Sequence, residues 1–348
     1  MRQPGYIGGP RWDAFFFFGS ALVAVVVGGL VLAAPAATAY VWLAWLALID
    51  GPHLVATWTR APARLALRSL AWLAPGFVAL ALTEASGVAA PLDLYLLFAT
   101  LWSFHHNVRQ HYGILAIYER HARPSPEARR LDVGFLYAAL WGSMGLFLVG
   151  HPGSRAVIGL PVALPLWGRA ALFGLGAAIA ALVVGYGVVI LVRAARGQPV
   201  RPALFALVPA VGVQGFALFV IARFEPLVAH PSDPESFFLA VAFVGGMVHG
   251  LQYLGVVLAA NRRRAAGRGL GYRPLVVYGG LVAASLLYVV VNLGRGVAPV
   301  GGLFAADTTT ARLFLVTYWG VFFHHYYIDQ KIWRPHADAT VRAELGLA

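Results

Sequence analysis

The segment Pro91–Tyr118, PLDLYLLFATLWSFHHNVRQHYGILAIY, decides how the rest of the chain is read. It runs past the roughly 20 apolar residues that a bilayer crossing requires. It nevertheless holds three histidines, His105, His106 and His111, and one arginine, Arg109. Apolar runs of the same kind recur at 14–34, 37–59, 69–86, 131–150, 168–193, 203–222, 236–261, 274–294 and 309–333. The piece 156–167 is too short to span and is broken by Pro161 and Pro165, which predicts a loop or a short re-entrant piece. Of the 348 residues, 60% are hydrophobic and 11% charged, where a soluble domain is about a quarter charged. A water-soluble globular fold is excluded. The expected fold is all-α: a polytopic transmembrane helix bundle of about ten spans, forming a single integral membrane domain over residues 1–348.

The first apolar stretch ends near small residues, Ala34 and Ala36, that resemble a cleavage site. Its length exceeds the 7–15 residues of a typical signal-peptide core, so it is read as a retained helix. Absence of cysteine removes disulfides, thiolate zinc sites and iron–sulfur clusters from consideration. The formal charge of +12 would suggest nucleic acid in a soluble protein. With both termini cytoplasmic, however, 20 of the 26 basic residues fall on the cytoplasmic side. Five, Arg155, Arg169, Arg223, Arg295 and Arg312, fall opposite, and only Arg109 lies inside a span. This asymmetry follows the positive-inside rule. The charge therefore reports topology, and no nucleic-acid partner is expected.

Eleven histidines are unusual in so apolar a chain. His121, His151, His230 and His336 lie in predicted loops or at span ends, where a solvated ring is the ordinary outcome. The other seven sit inside four spans: His53; His105, His106 and His111; His249; and His324 with His325. These spans are the second, fourth, eighth and tenth, so all four run in one direction. The histidines lie about 10–20 Å from the cytoplasmic ends at 1.5 Å per residue, in one slab. A single intramembrane histidine is often an interhelical hydrogen bond. Four helices matching in depth point instead to a function, and imidazole is the commonest metal ligand, suited to iron, copper and zinc.

Helical geometry narrows the ligand set. At 100° per residue, His105, His106 and His111 cannot all face one ion. His106 shares a face with Gln110, and His105 with Arg109 and Tyr112. His325 shares one with Tyr318 and Asp329, and His324 with Tyr327 and Lys331. Asp50, His53 and Thr57 form one stripe, and His249 sits with Gly245, Gly246 and Tyr253. Asp50 and Asp329 are the carboxylates well inside spans, each a turn from a histidine. They suit the task of fixing an imidazole tautomer or ligating iron directly. The alternative for Asp329 is an ion pair with Lys331 or Arg334. His53, His106, His249 and His325 are the preferred ligands. His105, His111 and His324 are candidates for a second metal or an outer shell, and Tyr253, Gln110 and Gln252 for pocket lining.

Four segments, Gly51-Pro52-His53, Phe104-His105-His106, Met247-Val248-His249 and the run His324–Asp329 with Trp333-Arg334-Pro335-His336, carry a family resemblance. In order and membrane setting they resemble the Brp/Blh family of bacterial membrane β-carotene 15,15'-dioxygenases. The resemblance implies a polytopic protein that holds non-haem iron through histidines and cleaves a carotenoid with O₂. It implies His53, one of His105 or His106, and His249 as iron ligands. The family's fourth ligand falls at Tyr253 here, so either His324 or His325 replaces it or the metal chemistry differs from the family's.

The resulting expectation is a multi-pass enzyme of a bacterial inner (cell) membrane: a non-haem iron oxidoreductase of the dioxygenase type. It would use one or two Fe²⁺ ions, O₂ and an apolar substrate dissolved among membrane lipids, carotenoid- or lipid-like. Asp50, Asp329 and Tyr253 are its catalytic candidates. The alternatives are a proton or metal pathway or transporter, a haem protein, and a di-iron desaturase or hydroxylase. The last usually shows HxxxH and HxxHH boxes, where this chain has HHxxxxH and a bare HH.

Overall fold

The computed structural model describes residues 6–34, 37–157, 161, 163–221, 234–293 and 309–347. Arg2, Ala36, Arg223, His230 and Arg295, and the last residues of the runs 203–222 and 274–294, lie outside them. The described residues are helical almost throughout and contain no strand. The long helices are α1 (Pro10–Ala33), α2 (38–60), α3 (Ala63–Ser86), α4 (Ala90–Ala122) and α5 (Pro126–Gly150). After a short α6 (Pro152–Val157) come α7 (Leu166–Ala195), α8 (Arg201–Val220), α9 (Pro234–Gly267), α10 (Pro274–Leu293) and α11 (Thr309–Ile332). A short α12 (Ala339–Glu344) closes the series.

Each apolar run of the sequence falls on one long helix, and Pro161 and Pro165 fall in non-helical chain. Among the described residues, α1, α3, α5, α7 and α8 are long and apolar enough to cross a bilayer. Helix α7 shows why water is the wrong solvent. Leu166, Trp167, Phe173, Val184, Val188 and Leu191 are all exposed along it, a surface that suits hydrocarbon.

Prolines and glycines set the boundaries. Pro10, Pro126 and Pro202 sit in first turns, where a missing N–H is harmless. Ser125 caps α5 by accepting from the Ala128 N–H. Gly87 ends α3 in the left-handed region at φ +68°, a conformation open to glycine at little cost.

The chain divides into two compact units. The first comprises residues 1–41 and 108–255, and the second 42–107 and 256–346. In the first unit, the Phe135 and Tyr186 rings stack at 3.7 Å between α5 and α7. Beneath them, the buried Asp132 accepts from Tyr186 and Arg193, both at 2.7 Å. Asp13 anchors the chain ahead of α1 by accepting from the Ile7 and Gly8 N–H groups and from the Tyr118 hydroxyl.

The second unit builds its core from α2, α3, α4 and α11: Leu54, Leu80, Tyr95, Ala99, Val316, Trp319 and Phe323. Small residues let these helices touch. A Cβ on Gly320 would stand 3.0 Å from Leu73 Cα, and one on Gly76 2.8 Å from Val316 Cβ. Within α2 the ladder widens to a π-turn over Leu46–Asp50, directly before Pro52. Pro52 has no N–H to offer and its ring crowds the preceding turn, so the register slips by one residue there. Gly51 lies at that bend against Ser285 of α10, where an added Cβ would approach Ser285 Cβ to 2.7 Å.

Gly51→Ala is therefore expected to destabilise the protein, whereas Gly113→Ala, where a Cβ meets nothing within 4 Å, should be neutral or stabilising by up to about 1 kcal/mol. Thermal unfolding of the two variants in detergent checks the contrast. Equal behaviour would contradict the close approach of α2 and α10.

Candidate metal centre

Three helices of the second unit each contribute one buried histidine to a close group. His53 lies on α2 just past the π-turn, His106 in the middle of α4 and His325 on α11. One ring nitrogen of each lies within 4.8 Å of the others. The His53 and His325 rings meet edge-on with centroids 4.3 Å apart, and those of His106 and His325 are 5.2 Å apart. His325 is fully buried, and the other two are no more than 6% exposed. Such a group of imidazole nitrogens can hold a metal ion. His249, in the first unit, is buried on α9.

Asp329 completes the arrangement. It stands one turn after His325 on α11, and its Oδ2 lies 3.5 Å from His325 Nε2 and 3.8 Å from His106 Nε2. Its Oδ1 accepts a 3.0 Å hydrogen bond from Thr57 Oγ1 of α2. Lys331 instead lies over the Tyr327 ring, and Arg334 donates to the Gln330 carbonyl. The carboxylate thus faces imidazoles, in the place where it can fix the tautomer of a ligand ring.

The remaining sequence candidates go elsewhere. His105 is exposed. His324 is buried, but its Nδ1 lies 2.7 Å from Ser69 Oγ of α3, which ties α11 to α3. His111 lies in the first unit, buried beside Gln252 and 6.1 Å from the Phe205 ring. Gln110 uses its amide N–H to bond the His249 carbonyl at 2.8 Å, joining α4 to α9. Gln252 directs its amide nitrogen toward the Phe17 carbonyl. Tyr253 is buried one turn after His249, and Asp50 is buried on the π-turn ahead of His53. Asp50 is not among the residues of the close group.

Two neighbours border this group, Thr57 and Tyr326. Tyr326 stacks on His106 with centroids 4.2 Å apart and donates to Ser103 Oγ at 2.9 Å. Thr57 carries the only signal that was available for it, its i+4 spacing from His53. Comparison with protein families, with curated proteins and with solved structures finds no match.

The two histidine doublets provide a direct test. His325→Ala is expected to weaken Zn²⁺ or Co²⁺ binding by more than about 100-fold, beyond the usual 10–100-fold effect of an outer-shell change. Asp329→Asn should fall within that 10–100-fold range, and His324→Ala and His105→Ala should bind as the wild type. Competition with a chromophoric chelator measures all four. Equal loss in His324→Ala and His325→Ala would contradict the assignment.

Proposed function

We propose that this chain is a polytopic membrane metalloenzyme of the non-haem iron oxygenase type, acting on an apolar substrate dissolved in the bilayer. The observation that carries the reading is the close group of His53, His106 and His325 beside the Asp329 carboxylate, in a chain with membrane-type helices; the intramembrane position of His249 in the sequence makes it the proposed fourth ligand. The full reading has ten spans with both termini cytoplasmic, in the inner membrane of a bacterium. The arginine asymmetry and the Brp/Blh resemblance support those details. One Fe²⁺ suffices for the four-histidine group.

Bound iron would supply positions open to O₂ and substrate. The chain's own residues do the rest. The four imidazoles would hold the ion from four helices, which fixes its place without a loop. Asp329 sets which ring nitrogen of His106 and His325 carries its proton, and the Thr57 hydroxyl keeps that carboxylate turned toward the rings. The Tyr326 ring covers one face of His106 and helps exclude water from the group. Asp50 is assigned to orienting His53, and Tyr253 to the substrate side of His249. Entry from the bilayer suits a long apolar molecule better than a solute.

β-Carotene is the substrate to test first, since the resemblance names it. Purified protein is expected to contain iron, to show no Soret band and to form retinal only when O₂ is present. His53→Ala should lower that rate by at least about 100-fold, about 2.7 kcal/mol of activation. Iron-loaded protein that leaves β-carotene unchanged would remove the carotenoid. Proton or metal flux in proteoliposomes, lost in His53→Ala and without O₂ uptake, would replace the enzyme with a transporter.

A further inference from the structure

The second unit contains another buried constellation, built on the same helices as the histidines but farther along them. Glu344, at the end of α12, is 3% exposed. One of its carboxylate oxygens pairs with Arg60 of α2 and the other with Arg264 of α9. Its backbone carbonyl accepts from Arg263 at 2.8 Å. Arg60, also buried, donates to Asn261 Oδ1 of α9 at 2.9 Å, and its guanidinium lies 4.4 Å from the centre of the Trp333 ring. Trp333 directly follows α11, and its N–H bonds to the Asp329 carbonyl.

The spacing ties this cluster to the centre. Arg60 lies seven residues after His53 on one regular helical segment, and Arg264 fifteen after His249 on another. Seven residues return a side chain to its starting face with a drift of about 20°. Arg60 therefore shares the stripe of α2 that carries His53, and Arg264 lies four turns along the helix that carries His249. Helix α2 has its own need for this hold. Its last regular segment is only the ten residues Gly51–Arg60, bounded by a π-turn at one end and by the extended Ala61-Pro62 at the other.

We propose that Glu344 is a positioning residue for the metal centre, clasping the ends of α2 and α9 and, through Arg60 and Trp333, the end of α11. It sets the register of helices that carry His53, His249 and His325. This inference rests on the metal-site reading above for its consequence, and on α12 for its geometry. A buried carboxylate that binds two guanidiniums is held rigidly, so loosening it lets α2 rotate or slide. An imidazole displaced by a fraction of an ångström then leaves the ion under-coordinated.

The test compares Glu344→Gln, and the milder Arg264→Gln, with Asp132→Asn. The last breaks an equally buried ion pair between α5 and α7, helices that carry none of the four histidines. In detergent, Glu344→Gln should weaken Co²⁺ binding about tenfold, at the lower edge of what supporting residues do, with Arg264→Gln intermediate. In the metal-free protein the peptide 51–60 should take up deuterium faster in both variants. Asp132→Asn should lower thermal stability while leaving Co²⁺ affinity and exchange at 51–60 within twofold of wild type. Unchanged Co²⁺ affinity in Glu344→Gln, or an equal fall in Asp132→Asn, overturns the positioning role. If wild-type protein takes up no Co²⁺, the metal-site reading fails. Exchange then decides the clasp: unchanged uptake at 51–60 overturns it, and faster uptake upholds it.

Discussion

A carboxylate buried among packed helices must be answered by its neighbours, because an unpartnered charge out of water is costly. In this protein the group is Asp329, and the second unit is arranged to answer it. Thr57 of α2 donates to one oxygen, and the other faces rings from α4 and α11. Three helices are thereby committed to particular rotations. Helix α2 must present His53 and Thr57 on one stripe. That stripe follows the slip at Pro52 and the close approach to α10 that Gly51 permits. Helix α11 must lie near α3, as Gly320 against Leu73 allows, with His324 fixed to Ser69 on that side. With His324 engaged there, its neighbour His325 is turned 100° away, toward Asp329.

Much of this was legible in the chain, for identifiable reasons. Helices declare themselves by length and apolarity: within the described residues every apolar run falls on a long helix, and five of these are long and apolar enough to cross a bilayer. Adjacent residues on a helix cannot face the same point, so each histidine doublet divides by geometry. Of the four preferred ligands, His53, His106 and His325 lie close within the second unit, and His105 is exposed. The i+4 step from His325 to Asp329 was visible for the same reason.

What stayed hidden depends on contacts across long stretches of chain. Ser69 and His324 are separated by 255 residues, Thr57 and Asp329 by 272, and Arg60 and Glu344 by 284. Periodicity within a helix carries no information about them. The π-turn before Pro52 was hidden too, since proline announces a disturbance without saying whether the helix ends, kinks or widens. His111, in the same run as His106, serves the packing of a different unit. Composition alone could not have separated them.

The proposed centre has imidazoles from separate helices around one ion. X-ray absorption of the purified, metal-loaded protein measures this most directly, since imidazole produces a distinctive multiple-scattering pattern. The account predicts a first shell dominated by histidine nitrogens, at about 2.0–2.1 Å if the ion is zinc, and a loss of imidazole scattering in His325→Ala. A shell of oxygen alone, or protein that retains no metal after purification, would contradict it.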